Sequence, residues 1–192
     1  AGVQTDDRAG LRALRRDVQM VFQDPLASLD PRFTAERIIA EPLVNFGLLG
    51  ARDARLKARD LMARVQLDPG WANRYPHEFS GGQCQRLGIA RALAVGPRVL
   101  LCDEPVSALD VSIQADILSL LVGLREDLGL TIVFISHDLA VVRHIADRVA
   151  VMHEGRIVEA KSATDIYAHA EHPYTQSLLA AVPIPDPEVY RC

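Results

Sequence analysis

The stretch Phe79-Ser80-Gly81-Gly82-Gln83, continuing as Cys84-Gln85-Arg86-Leu87-Gly88-Ile89-Ala90-Arg91-Ala92-Leu93, decides how this chain is read. A serine precedes two glycines, and a helical pattern opens directly after them. Ser80 is a good helix N-cap, and Gln83 three residues on completes the Ser-x-x-Gln pattern of a capping box. The first turn of such a helix carries free backbone N–H groups and the positive end of the helix dipole. Gly81 and Gly82 place no side chain in the way, so an anion such as phosphate can come close. Taken alone, the stretch also fits an ordinary capped helix after a glycine turn. The surrounding chain has to choose between the two.

Working outward, residues 34–46 and 51–66 read as helices, the first from the cap Thr34 with Glu36 in its first turn. Asp68-Pro69-Gly70 is a turn, and Trp71 to Phe79 is a short connection. The helix that opens at Ser80 runs to about Val95, where Gly96-Pro97 stops it. Upstream, Leu11, Leu14 and Val18 are spaced as a short helix face flanked by Arg12, Arg15 and Arg16. These arginines read as a solvated face. Val18 to Gln23 alternates with period two, as a strand does, until Asp24-Pro25 breaks it.

Downstream the pattern becomes α/β. Val99-Leu100-Leu101-Cys102 is an apolar run that ends in Asp103-Glu104-Pro105, as expected of a strand buried in a parallel sheet. Ile113, Ile117, Leu120, Leu121, Leu124 and Leu128 form an amphipathic helix face. Thr131 to Ile135 reads as another buried strand, ending at Ser136-His137-Asp138, and Leu139 to Ala146 as a helix. Val149–Met152 and Arg156–Glu159 flank His153-Glu154-Gly155 as a hairpin. Short helices follow near 162–170 and 173–181. The Pro-rich tail at 183–187 is expected to be extended.

Composition narrows the function classes. The chain has 192 residues, 49% hydrophobic and 24% charged, with 21 basic against 25 acidic residues. That is an ordinary globular balance, without the basic excess of a nucleic-acid-binding surface. Its three cysteines are Cys84, Cys102 and Cys192. They form no Cys-x-x-Cys pair and suggest neither a disulfide framework nor a zinc site. A reducing, cytoplasmic setting fits, no signal peptide is visible, and no apolar run reaches membrane-span length.

Three predicted strands end in polar residues: Gln23, Asp103-Glu104 and His137. Open α/β sheets bind ligands at the carboxyl ends of their strands. An acidic pair, an amide and an imidazole converging there suit phosphoryl transfer from a nucleotide. One acid can hold Mg²⁺, and the other can accept a proton from attacking water. Gln can position that water or a metal ligand, and His can stabilise the γ-phosphate. Singly, each also fits a cap or a packing role, but their joint order favours the site.

With these residues in place, the chain resembles the ATP-binding cassette (ABC) ATPases of transporters. Phe79-Ser80-Gly81-Gly82-Gln83 is similar to the signature motif, with Phe where Leu is usual, and Val99–Glu104 to Walker B. Gln23 matches the Q-loop, Ser107-Ala108-Leu109-Asp110 the D-loop, and His137 the switch histidine. Four finer stretches resemble the oligopeptide/dipeptide importers. They are Phe22 to Arg32, Arg74-Tyr75-Pro76-His77-Glu78, Ala108 to Ala115, and His172-Pro173-Tyr174-Thr175 with the tail.

The resemblance implies a partial P-loop NTPase-type α/β core with an inserted α-helical subdomain. Its divisions would be 1–29, an ATPase-core remnant with the Q-loop; 30–95, the helical subdomain ending in the signature helix; 96–160, the core with Walker B, D-loop and switch His; and 161–192, a helical tail. ATP and Mg²⁺ would be the cofactors. Glu104 would be the general base or water-polarising group, and His137 the γ-phosphate switch. Asp103 and Gln23 would serve the metal and the water. Ser80, Gly81, Gly82 and Gln83 would contact nucleotide held by a second ABC ATPase subunit in a head-to-tail dimer, and Asp110 would couple the two sites. Membrane permease subunits would be direct partners and an extracytoplasmic solute-binding protein an indirect one, with no nucleic acid. The place of work would be the cytoplasmic face of the membrane.

One family element is missing: no Gly-x-x-x-x-Gly-Lys-Ser/Thr (Walker A) occurs, and the only lysines are Lys57 and Lys161. Gly155-Arg156-Ile157-Val158-Glu159-Ala160-Lys161-Ser162 misses the pattern, with Ala160 in place of the second glycine. The chain is therefore expected to be an N-terminally truncated cassette, inactive by itself. Two alternatives stay open: a non-catalytic partner that supplies only its signature face, and a soluble non-transport ABC protein. His169, Glu171 and His172 could suggest a metal, but a helix boundary explains them equally.

Overall fold

The computed structural model describes residues 8–181, so the 183–187 tail and Cys192 lie outside the described residues. The chain divides into two compact units, one ending at Ile135 and the other beginning at Ser136.

In the first unit, α1 (Arg8–Asp17) leads into β1 (Val18–Val21). The strand is two residues shorter than its alternation predicts. Its pairing with β2 (Val99–Asp103) ends at Val21↔Cys102, and Phe22 and Gln23 leave the ladder. β2 in turn pairs in parallel with β3 (Thr131–Ile135), giving the sheet order β1-β2-β3. Parallel order puts the ends carrying Gln23 and Asp103 on one edge, as the strand-end pattern requires.

Side chains alternate across the sheet. Val21, Leu100 and Cys102 point into the core and are buried. The opposite face is open: Val18, Val133 and Ile135 are 37%, 47% and 46% exposed. β3 was expected to be buried, and it is not. It is one of the two outer strands of this sheet, and every second side chain of it falls on the open face.

Between β1 and β2 comes a helical layer: α2 (Ala35–Asn45), α3 (Ala51–Arg64) and α4 (Gly81–Leu93), packed pairwise, with α4 also against β1. Ile39, Met62, Leu87 and Ile89 form its interior. The buried Glu36 of α2 accepts from Arg59 Nε of α3 at 2.7 Å, so the charge it carries inward is paired. The connection before α4 is held by aromatic contacts. Trp71 meets Phe79 edge-on at 6.1 Å, and the Arg74 guanidinium lies 4.6 Å over the Trp71 ring. Burial of Phe79 fixes where Ser80 begins the next helix. Helix α5 (Val111–Leu128) follows β2 and ends at Gly129, whose φ of 62° is a left-handed cap that glycine adopts without strain.

The second unit contains α6 (Leu139–Ile145), the hairpin β4 (Arg148–His153) and β5 (Arg156–Ser162), α7 (Ala163–Ala168) and α8 (Pro173–Ala180). The strands pair antiparallel with an irregularity at Val151/Met152, and Val149, Val151 and Ile166 form the core. No helix among the described residues is long and apolar enough to cross a membrane.

Candidate nucleotide site

The carboxyl ends of β1 and β2 bring Gln23 and Glu104 together. Gln23 Nε2 donates to Glu104 Oε2 at 3.0 Å across 81 residues of sequence. Asp103, half-buried, is the last residue of β2. Glu104 has φ = 44°, a left-handed conformation that a side chain makes costly. It is held on both sides. Its N–H donates to Ile135 O at 3.0 Å, and its own carbonyl accepts from Ser107 N at 3.3 Å and Ser107 Oγ at 3.0 Å. Below Gln23, Asp24 Oδ1 accepts from Ala27 N at 2.9 Å and folds the loop back.

The Ser80 turn forms as its residues dictate. Ser80 N donates to Gln83 Oε1 at 2.9 Å, and Gln83 N donates to Ser80 Oγ at 3.3 Å. Both halves of the capping box are present, so both side chains hold the helix start. The two glycines differ in a way the sequence does not show. A Cβ on Gly81 would lie 3.4 Å from Leu109 Cδ2, an ordinary contact. A Cβ on Gly82 would lie 2.5 Å from Ile113 Cγ2, a clash. Gly82 thus lacks a side chain because α5 packs there. Leu109 and Ile113 flank Asp110, so the Ser80 turn lies against the start of α5. Asp110 occupies the N-cap position of α5, is exposed, and makes no side-chain cap bond.

His137 belongs to the second unit, where it is exposed in the turn before α6. Asp138 N donates to Ser136 Oγ at 3.0 Å, and Asp138 Oδ1 caps α6 by accepting from Ala140 N at 2.8 Å and Val141 N at 3.3 Å.

Lys161 does not sit in a phosphate loop. It lies in β5 and is paired with Glu171 at 2.7 Å and Glu159 at 3.1 Å. The buried Glu159 also accepts from Glu171 N at 2.9 Å and His172 N at 3.1 Å. These backbone donors, the Glu171 amide foremost, bring the Glu159 carboxyl down to about 2. His172 Nδ1 accepts from Tyr174 N at 3.2 Å as the α8 cap. The His169-Glu171-His172 cluster is therefore a helix boundary around a buried acid, and no group of three metal-ligating side chains occurs among the described residues.

Sequence reasoning passed over three side chains that shape the site. Gln85, 1% exposed, reaches Phe22 O at 3.5 Å, and Arg91 donates to Ser28 O, so α4 grips both ends of the Gln23 loop. Gln114 binds two carbonyls of the turn after Glu104. Only a polar residue at a buried helical position hints at Gln85, and nothing local marks the other two.

The ABC transporter family model matches residues 2–107. The chain is 56% identical over 181 residues to the oligopeptide transport ATP-binding protein OppF of Salmonella typhimurium, covering 94% of this chain and 54% of that protein. It is 53% identical over 173 residues to AppF of Bacillus subtilis, named likewise, covering 90% and 53%. It spans about half the length of the curated relatives it matches. Among solved structures, a dimeric ATP-binding cassette in a post-hydrolysis state with ADP and Pi superposes with a TM-score of 0.71 at 33% identity, over 83% of this chain and 68% of that one. The protein cbiO1 of Clostridium perfringens, part of an ABC transporter complex, gives 0.76 at 31%, over 85% and 64%. The motif order, the strand-end site and these likenesses together place the chain in the ABC transporter ATP-binding family, with its α/β cassette fold.

Proposed function

We propose that these residues form the larger part of an ATP-hydrolysing subunit that drives import of peptides or similar small solutes. The observation that carries the reading is the Gln23–Glu104 hydrogen bond at the carboxyl edge of the parallel sheet. Family membership and the OppF-type relatives support it. Glu104 accepts the proton of the attacking water, and the Gln23 amide fixes the facing of its carboxylate. Oxygen donors at adjacent strand ends suit a hard cation, so Asp103 and Gln23 would hold Mg²⁺, which neutralises charge on the transferring phosphoryl group. His137 serves as the γ-phosphate switch.

Ser80, Gly81, Gly82 and Gln83 present the α4 N-terminus to nucleotide bound by a second ATPase subunit, and Asp110 couples the two sites. The helical layer of residues 30–95 receives the permease, at the cytoplasmic face of the membrane, and substrate arrives through a solute-binding protein. No phosphate-loop lysine in a Gly-x-x-x-x-Gly-Lys-Ser/Thr setting occurs in the 192 residues. That sequence fact also favours a second reading, in which the chain lends only its signature face to a complete partner. Equilibrium ATP binding to the isolated chain tests the division of labour. Little or no binding is expected, and micromolar affinity would overturn the need for an outside lysine.

A further inference from the structure

We infer that Gln114 is a positioning residue for Glu104: its amide clamps the turn between the base and Asp110. The inference rests on the reading of Glu104 above, but the clamp itself is a matter of geometry.

Seven residues, Glu104 to Asp110, join β2 to α5, and their carbonyls need partners. Glu104 O is satisfied by Ser107. Val106 O accepts from Leu109 N at 3.1 Å and from Gln114 Nε2 at 3.0 Å. Leu109 O accepts from the same Gln114 Nε2 at 2.9 Å. A primary amide has two hydrogens on one nitrogen, and here each is directed to a different carbonyl. Gln114 is itself fixed, because its N–H makes the first helical bond of α5, to Asp110 O at 2.8 Å. The turn is thus tied to a helix that cannot shift without Gln114.

This matters because Glu104 is held at φ = 44°, a conformation the chain leaves unless its surroundings enforce it. Upstream, Ile135 O anchors its amide. Downstream, Pro105 offers no N–H, and the Ser107 bonds and the Gln114 clamp hold the turn. Glutamine suits the place. Asparagine is one methylene short, glutamate would face two carbonyl oxygens without a donor, and methionine keeps the shape without hydrogens.

The test uses the Gln23 side-chain amide resonance of the full 192-residue chain as a reporter of its bond to Glu104. Glu104→Ala defines the position of that resonance when the bond is absent. Gln114→Met is expected to move it most of the way there, while amides of Leu87, Leu100 and Leu121 stay in place. In the double variant Gln114→Met/Glu104→Ala no further displacement is expected. An unmoved Gln23 resonance in Gln114→Met, or additive displacements, would overturn the clamp. If Gln114→Met does not fold, Gln114→Asn, which keeps the amide one methylene short, is expected to give the same displacement, and no displacement there would overturn it equally. In a longer homologous ATPase with its own phosphate loop, the equivalent change is expected to lower kcat at least tenfold with KM for ATP unchanged. A moved resonance with unchanged kcat would leave the clamp standing and count against Glu104 as the base.

Discussion

Adding one methyl group at Gly82 is expected to destabilise the first unit, and the same change at Gly81 is not. The Gly82→Ala Cβ would stand 2.5 Å from Ile113 Cγ2, against a normal carbon contact of about 3.5–4.0 Å. Ile113 cannot swing away cheaply, since Cγ2 is attached directly to a branched Cβ with few rotamers. Overpacking of this kind costs about 1–3 kcal/mol, and the helix preference of Ala over Gly returns about 0.5–1 kcal/mol. The net loss is therefore about 1 kcal/mol, and at most about 2.5 kcal/mol, read as a lowered urea midpoint at constant slope. At Gly81 the nearest atom is Leu109 Cδ2 at 3.4 Å, the end of a flexible side chain, and stability should hold within about 0.5 kcal/mol. Ile113→Ala removes the offending methyl and leaves only its Cβ, at 3.9 Å. Gly82→Ala/Ile113→Ala should thus be more stable than the sum of the single changes by about 1 kcal/mol. Equal tolerance at both glycines, or strict additivity, would refute the packing account and return Gly82 to a purely ligand-facing role.

The Glu159 carboxyl lies at about 2 instead of its ordinary 4.5, so its contribution to the second unit is complete above pH 4.5 and lost as pH falls towards 2. Glu159→Gln should flatten the acid dependence of unfolding in that window, and an unchanged acid limb would contradict it. Burial pushes the Cys102 thiol up to about 12 and raises that of Cys84, which also donates to Pro76 O at 3.4 Å. Neither should be alkylated at pH 8 in the folded chain, as mapped by peptide mass, and both should be once it is unfolded.

Local chemistry was legible in the sequence. The capping box at Ser80 and Gln83 needs only four consecutive residues, and it forms as written. The apolar run ending at Asp103 and the hairpin turn at His153-Glu154-Gly155 likewise depend on neighbours in the chain. The pairing of Gln23 with Glu104 was legible only as motif order, because nothing local links residues 81 apart. What escaped was set by packing between elements. β3 reads as buried because its residues are apolar, yet its exposure depends on what lies over the sheet. Gly82 reads as room for a ligand, although Ile113 of another helix fills that space. Glu159 reads as an ordinary strand residue, and only the fold turns it into the buried acceptor of the Glu171 and His172 amides ahead of α8. Gln114 and Arg91 act on backbone carbonyls, which carry no sequence signal.

The measurement that bears most directly on the hydrolytic site is ATP turnover by a longer homologous ATPase with its own phosphate loop, carrying the change equivalent to Glu104→Gln. The substitution keeps the side chain's size and removes its capacity to take a proton. Turnover is expected to fall by about 10²–10⁴, the usual worth of a positioned base, with ATP affinity retained. Undiminished turnover would show that Glu104 is not the base and that its contact with Gln23 serves structure alone.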